Sequence, residues 1–190
     1  VLSCALDLFR SKRNEKSGYK FEKNDINEFY AALPFAPTGA QRRAVQDAIA
    51  DMESGKPMNR LLQGDVGSGK TMVAVLSCLI AYGNGYQSCI MAPTEVLAQQ
   101  HFANIRKYLE PTSVRCALLT GSTSAKERRA IHEGLEDGSI GLIVGTHALI
   151  EDTVKFRNLG LAVVDEQHRF GVNQRSALGQ KADDPHMMVL

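Results

Sequence analysis

Short apolar runs without polar interruption alternate along this chain with longer segments in which apolar residues recur every three or four positions. The runs are RLLQ (60–63), QSCIMA (87–92), the stretches 113–119 and 140–145, and LGLAVVDE from 159; HMMVL (186–190) begins another. Helices are expected between them over 38–53, 70–82, 95–109 and 124–136, with a short one near 173–180. A strand with one wet face alternates apolar and polar residues, whereas an uninterrupted apolar strand is covered on both faces. The pattern therefore predicts an α/β domain, a parallel sheet between two layers of helices. A chain of 190 residues makes one large domain, or one with an appendage, and buries roughly 70% of its unfolded surface.

The first 32 residues break this rhythm. Apolar residues at 2, 5, 6 and 9 have helical spacing, the polar stretch EKSGYKFEKND reads as a linker, and Asp25 can cap a short helix through Leu33. Residues 1–32 thus read as a short N-terminal helical extension, and 33–190 as the main domain.

Gly64-Asp65-Val66-Gly67-Ser68-Gly69-Lys70-Thr71 fits G-x-x-x-x-G-K-[ST] and lies between a predicted buried strand and an apolar helix, where that motif works. The glycines let backbone N–H groups turn inward onto a phosphate, and the helix N-terminus adds positive potential. Lys70 neutralises the β and γ phosphates, and the Thr71 hydroxyl is placed to ligate Mg²⁺. The expected ligands are a nucleoside triphosphate, ATP by the resemblance described below, and Mg²⁺.

Such a site also needs a carboxylate on a neighbouring strand for the metal and a group that positions the attacking water. Leu161-Ala162-Val163-Val164-Asp165-Glu166 supplies both. Asp165 is the expected metal-side carboxylate and Glu166 the candidate base.

The tetrad Asp165-Glu166-Gln167-His168 places the chain beside the DExH group of superfamily 2 helicases. LPFAPTGAQ (33–41), LLQGDVGSGKT (61–71), APTEVLAQQH (92–101), LTGS (119–122), VGTHALI (144–150) and VVDEQHRFGV (163–172) narrow the likeness. In order and spacing they resemble the first motor domain of RecG-type DNA translocases, with Mfd-like coupling factors and PriA-like restart helicases as the alternatives. Pro37 departs from the pattern, which has an aliphatic residue there.

The resemblance implies a RecA-like P-loop NTPase fold and a bacterial, cytoplasmic, nucleoid-associated enzyme. It implies ATP hydrolysis driving a motor that remodels branched DNA, such as stalled forks and Holliday junctions, in recombination and repair. It further implies an upstream wedge domain reached through residues 1–32 and a second RecA-like domain, which supplies an arginine finger; Arg169 and Arg175 are on the wrong domain for that role. His168 would couple the nucleotide site to the nucleic-acid side, and Gln41 would read the adenine. For Gln41 the residues also allow a local reading, because Thr38-Gly-Ala-Gln41 is an S/T-x-x-E/Q capping box.

The charge balance is 22 basic against 21 acidic residues, +1 overall, so a polybasic grip on nucleic acid is excluded. Contacts through helix ends and hydroxyls remain open. Pro93-Thr94-Glu95, Thr120-Gly121-Ser122 and Gly145-Thr146-His147 each follow a predicted strand, at the ends where open α/β sheets bind ligands. Thr94, Glu95, Thr120, Gly121 and Thr146 are therefore the candidate DNA-backbone contacts. The competing reading is that these threonines are ordinary N-caps. Arg106, Lys107, Lys126, Arg128 and Arg129 fall on predicted helix faces and read as solvated.

The cysteines, Cys4, Cys78, Cys89 and Cys116, have no C-x-x-C spacing and read as reduced thiols. No apolar stretch approaches the ~18 residues of a membrane span and no signal peptide opens the chain, so a soluble protein is expected. The chain starts at Val1 and stops in an apolar run without a turn signal, as a piece of something longer would.

Overall fold

In the computed structural model, which describes residues 38–53, 59–61, 69–110, 114–165 and 186–190, the apolar runs are the strands of one sheet. These are β1 (Asn59–Leu61), β2 (Gln87–Met91), β3 (Cys116–Leu119), β4 (Leu142–Gly145), β5 (Leu159–Val164) and β6 (His186–Val189). They lie in the order β1-β6-β5-β2-β4-β3, and every pairing is parallel. β2, β4, β5 and β6 are buried at every residue, which is why their sequences carry no polar alternation. β3, at the edge among the described strands, is buried only at Leu119.

The helices are α1 (Gly39–Glu53), α2 (Lys70–Gly83), α3 (Glu95–Leu109) and α4 (Ala125–Asp137). Successive strand residues face opposite ways. Ile90, Val144, Val163 and Met188 accordingly meet Val45, Ala48 and Met52 of α1, most of α2, and Ala98, Ile105 and Leu109 of α3. Cys89, Met91, Ile143, Ala162, Val164 and Met187 face the other way and pack with Leu135 of α4 and Leu149. The result is the three-layer α/β architecture expected from the sequence. α2 is buried continuously from Met72 to Ala81, consistent with its lack of charge after Lys70.

Two boundaries differ from the sequence reading. The strand expected over 113–119 begins at Cys116, and His147–Ile150, given no element in the sequence reading, forms a short 3₁₀ helix. The latter follows from Gly145: a Cβ there would collide with the Leu119 carbonyl and crowd the Leu149 side chain. Gly145 therefore lets the chain fold tightly over the end of β3. The predicted helices at 1–14, 26–33 and 173–180 lie outside the described residues, as does Cys4. Cys78, Cys89 and Cys116 are free thiols. Among the described residues no helix is long and apolar enough to cross a membrane.

Candidate nucleotide and nucleic-acid site

Because every described strand is parallel, all their carboxyl ends open on one edge of the sheet, and the described candidate residues of the loops after β2, β3, β4 and β5 lie there. α2 starts at that edge. Its N-cap, Gly69, has φ 79° and ψ 25°, and no side chain caps the helix. The first N–H groups of a helix have no intrahelical acceptor, so Lys70 and Thr71, both half-buried, stand at an end where backbone donors and dipole favour an anion. Gly64, Asp65, Val66, Gly67 and Ser68 lie outside the described residues.

Gln41 reaches this end from α1. Its Oε1 accepts from the Thr38 N–H at 2.8 Å, and the Gln41 N–H donates to Thr38 Oγ1 at 3.2 Å. The capping box is thus formed. The same amide lies against Gly69, where a Cβ would overlap Gln41 Nε2. The local reading and the proximity to the phosphate loop hold together.

Asp165 sits one residue past β5. Its N–H donates to the Met91 carbonyl at 2.8 Å, and the Leu190 N–H donates to the Val164 carbonyl at 2.9 Å, so the ladder carries on to Asp165. Asp165 Oδ2 lies 2.7 Å from His101 Nε2, with side chains 12% and 14% exposed. An ionised carboxylate only accepts hydrogen bonds, so Nε2 carries the proton. Sequence reasoning passed over His101 as part of APTEVLAQQH. The available signal was its place between Ala98 and Ile105, both fully buried, on one stripe of a helix that otherwise carries apolar residues. Glu166 and His168 lie outside the described residues.

Hydroxyl and carboxylate oxygens are the hard donors that suit Mg²⁺, which keeps several waters and takes substrate phosphates besides one or two carboxylates. Thr71 and Asp165 supply one of each. The donor set fits the ion.

The three loops show different commitments. Thr94, the N-cap of α3, accepts from the Leu97 N–H at 3.2 Å and is half-buried. Glu95 accepts from Thr120 Oγ1 at 2.7 Å and also from the Ser122 hydroxyl. These hydroxyls, Ser122 foremost, hold the Glu95 carboxyl below its ordinary range. Thr120 is only 3% exposed, and its N–H donates to Thr123 Oγ1 at 3.0 Å. Thr120 and Glu95 therefore tie the β3 turn to the α3 start, whereas Gly121 is open, with nothing within 4 Å of a built Cβ. Thr146 opens the 3₁₀ helix without a side-chain cap bond, and its N–H donates to the Leu119 carbonyl at 3.3 Å.

Arg128 departs from its solvated reading: it donates to the Thr120 carbonyl at 2.8 Å and pairs with Glu151 at 3.3 Å. Arg106, Lys107, Lys126 and Arg129 are exposed, with Arg106 over the Phe102 ring at 5.5 Å. Among the described residues this edge is rich in hydroxyls and helix starts.

Residues 38–185 match the model of the DEAD/DEAH box helicases. The chain belongs to the DEAD/DEAH box helicase family. Among characterised members of that family, it is 50% identical over 165 residues to the ATP-dependent DNA helicase RecG of Synechocystis sp., covering 87% of this chain and 20% of that protein. It is 48% identical over 192 residues to RecG of Thermotoga maritima, covering 100% of this chain and 25% of the relative. The chain thus spans about a quarter or less of these relatives. A solved structure of RecG bound to a three-way DNA junction superposes with a TM-score of 0.85 at 43% identity, over 97% of this chain and 25% of that one. The UvsW helicase of bacteriophage T4 shares the fold, with a TM-score of 0.66 at 16% identity over 90% of this chain and 61% of that chain. The RecA-like helicase fold implied by the motifs is the fold found.

Proposed function

We propose that this chain is the first ATP-binding motor domain of an ATP-dependent DNA translocase similar to RecG, acting on branched DNA in recombination and repair. The observation that carries the reading is the shared carboxyl edge. An uncapped helix start with Lys70 and Thr71 opens there, as do a held carboxylate at Asp165 and three hydroxyl-bearing loops. The similarity to a RecG solved with a three-way DNA junction supports DNA as the partner, and the names of the relatives support ATP as the substrate.

In this reading Lys70 and the backbone of 64–71 bind the β and γ phosphates of ATP, Thr71 and Asp165 hold Mg²⁺, and Gln41 lies toward the adenine end. When bound there, Mg²⁺ would neutralise negative charge on the phosphates. Glu166 orients and deprotonates the attacking water, and His168 relays the state of the site toward the DNA side. Thr94, Gly121 and Thr146 offer hydroxyl and backbone groups to the DNA phosphates, while Glu95 and Thr120 set the shape of the surface that does so. Phosphate contacts of this kind carry no base information, which suits a motor that must track any sequence. Residues 1–32 connect to an upstream wedge domain, and a second RecA-like domain of the same polypeptide supplies the arginine finger.

Lys70→Ala in the full-length protein tests the phosphate assignment. Loss of DNA-stimulated ATP hydrolysis with an unchanged melting temperature is expected; wild-type rates would remove it. Forked DNA, Holliday junctions and linear duplex, compared as ATPase activators, test the branched substrate, and equal stimulation by all three would overturn it. The 190-residue chain alone is expected to bind ATP-Mg²⁺ weakly and turn over very slowly.

A further inference from the structure

The His101–Asp165 contact joins α3 to the end of β5 through side chains. Asp165 Oδ2 is taken by His101 Nε2 at 2.7 Å, which leaves Oδ1 as the oxygen offered to a metal's water shell. His101 itself rides on α3, whose first turn is bound to the β3 turn through Glu95, Thr120 and Ser122. About two helical turns separate Glu95 from His101. Ala98, Ile105 and Leu109 anchor that helix in the core at 0%, 0% and 4% exposure, so it moves as a unit or not at all. A shift of the loops that face nucleic acid is therefore delivered to Oδ2 of the metal-side carboxylate, and a shift of the carboxylate is delivered back.

We propose that His101 is a positioning residue for Asp165, and that the pair is the contact through which nucleic acid on the α3 and β3 loops alters Mg²⁺-nucleotide affinity. The proposal rests on the ATP-driven motor reading above. Physically, the His101 N–H fixes which carboxylate oxygen faces the metal and restrains its rotation. Partners one bond removed from a metal ligand typically change metal affinity by about ten- to a hundredfold. Reciprocity then follows: if DNA tightens Mg²⁺-nucleotide binding, Mg²⁺-nucleotide tightens DNA binding by the same factor.

The test uses the full-length protein, binding of a fluorescent N-methylanthraniloyl ATP titrated with Mg²⁺, and the same titration with forked DNA. His101→Leu fills the buried volume without a donor, and His101→Gln keeps an N–H donor. The Leu variant is expected to raise the half-saturating Mg²⁺ concentration by about tenfold and to abolish the shift that forked DNA produces in the wild type. The Gln variant is expected to recover part of both. A purely structural role would lower the melting temperature of both variants and leave the Mg²⁺ half-point and its DNA-induced shift at wild-type values; that result overturns the proposal. If His101→Leu does not fold, His101→Gln decides: a Mg²⁺ half-point and a DNA-induced shift both at wild-type values overturn it. Should the wild type itself show no Mg²⁺-dependent nucleotide binding, or Lys70→Ala bind as the wild type does, the motor reading falls and takes the proposal with it.

Discussion

The Gln41 amide lies over Gly69 so closely that no Cβ can stand between them. Gly69 also holds φ at 79°, in the region where a side chain is strained. Two independent costs therefore meet at one residue at the start of α2. Gly69→Ala is expected to displace Gln41, destabilise the domain by about 1–3 kcal/mol, and weaken nucleotide binding along with it. Denaturant unfolding and nucleotide titration of the same variant check both halves.

Because Gln41 is both a capping partner and a neighbour of the phosphate loop, its two roles separate by comparison with Thr38. Thr38→Ala removes the cap alone, with an expected loss of about 1 kcal/mol and unchanged preference for ATP over GTP. Gln41→Ala is expected to show a similar loss and to blunt that preference. Equal discrimination in both variants would leave Gln41 a cap only, as read from competition of GTP against ATP hydrolysis.

The Glu95 tie has a pH signature. Hydroxyl donation by Ser122, and then Thr120, lowers the folded-state pKa below the ordinary 4.5. The stabilisation is therefore complete above that ordinary value and is lost as pH falls through the lowered one. Ser122→Ala should melt below the wild type at pH 7. The gap between the two should close as the pH is brought below the carboxylate range. A gap that stays constant from pH 7 to pH 3 would mean that the Glu95 charge is not what Ser122 stabilises.

Much of this was legible before the structure, for a physical reason. Buried parallel strands cannot hide their composition, so LGLAVVDE and QSCIMA announce themselves, and the G-x-x-x-x-G-K-T loop fixes the strand-to-helix join around Gly69. What the sequence left open depends on tertiary neighbours. Whether Thr120 faces solvent or Glu95 is decided by how the β3 turn meets α3, and Arg128 reads as solvated until Thr120 and Glu151 are placed beside it. His101 became visible only when β5 delivered Asp165 to its side. Gln87, a polar residue heading a buried strand, is explained by its donation to the Leu135 and Ile140 carbonyls at 3.0 and 2.9 Å and by the Asn158 N–H it accepts at 2.9 Å, all distant in sequence.

The thiols give a chemical check on the core. Burial pushes Cys78 and Cys116 up to about 12 and raises Cys89 as well, so the thiolate that alkylating agents require is scarce at neutral pH. Iodoacetamide at pH 8 is expected to leave all three unmodified in the native protein and to modify all three in denaturant. Peptide mapping by mass spectrometry reads each site separately; rapid native labelling of Cys78 would contradict the packing of α2 on the sheet, and of Cys89 the packing on its opposite face.

Gly145 and Gly121 form a matched pair on the same edge, and substituting each by alanine separates backbone packing from mere loss of glycine. At Gly145 a Cβ would meet the Leu119 carbonyl oxygen and stand 2.9 Å from Leu149 Cγ. That carbonyl accepts the Thr146 N–H, so relieving the overlap must move the Thr146 loop or the end of β3. Overpacking of this kind typically costs about 1–3 kcal/mol, and backbone against backbone leaves little room to adjust, so Gly145→Ala is expected near the upper value. At Gly121 nothing stands within 4 Å, and a change within about 0.5 kcal/mol is expected. If the edge formed by Thr146 and Gly121 touches DNA phosphates, both variants weaken DNA binding, but only Gly145→Ala lowers the denaturation midpoint. A stable Gly145→Ala protein with intact DNA binding would show that the 3₁₀ turn at His147–Ile150 does not depend on this close approach.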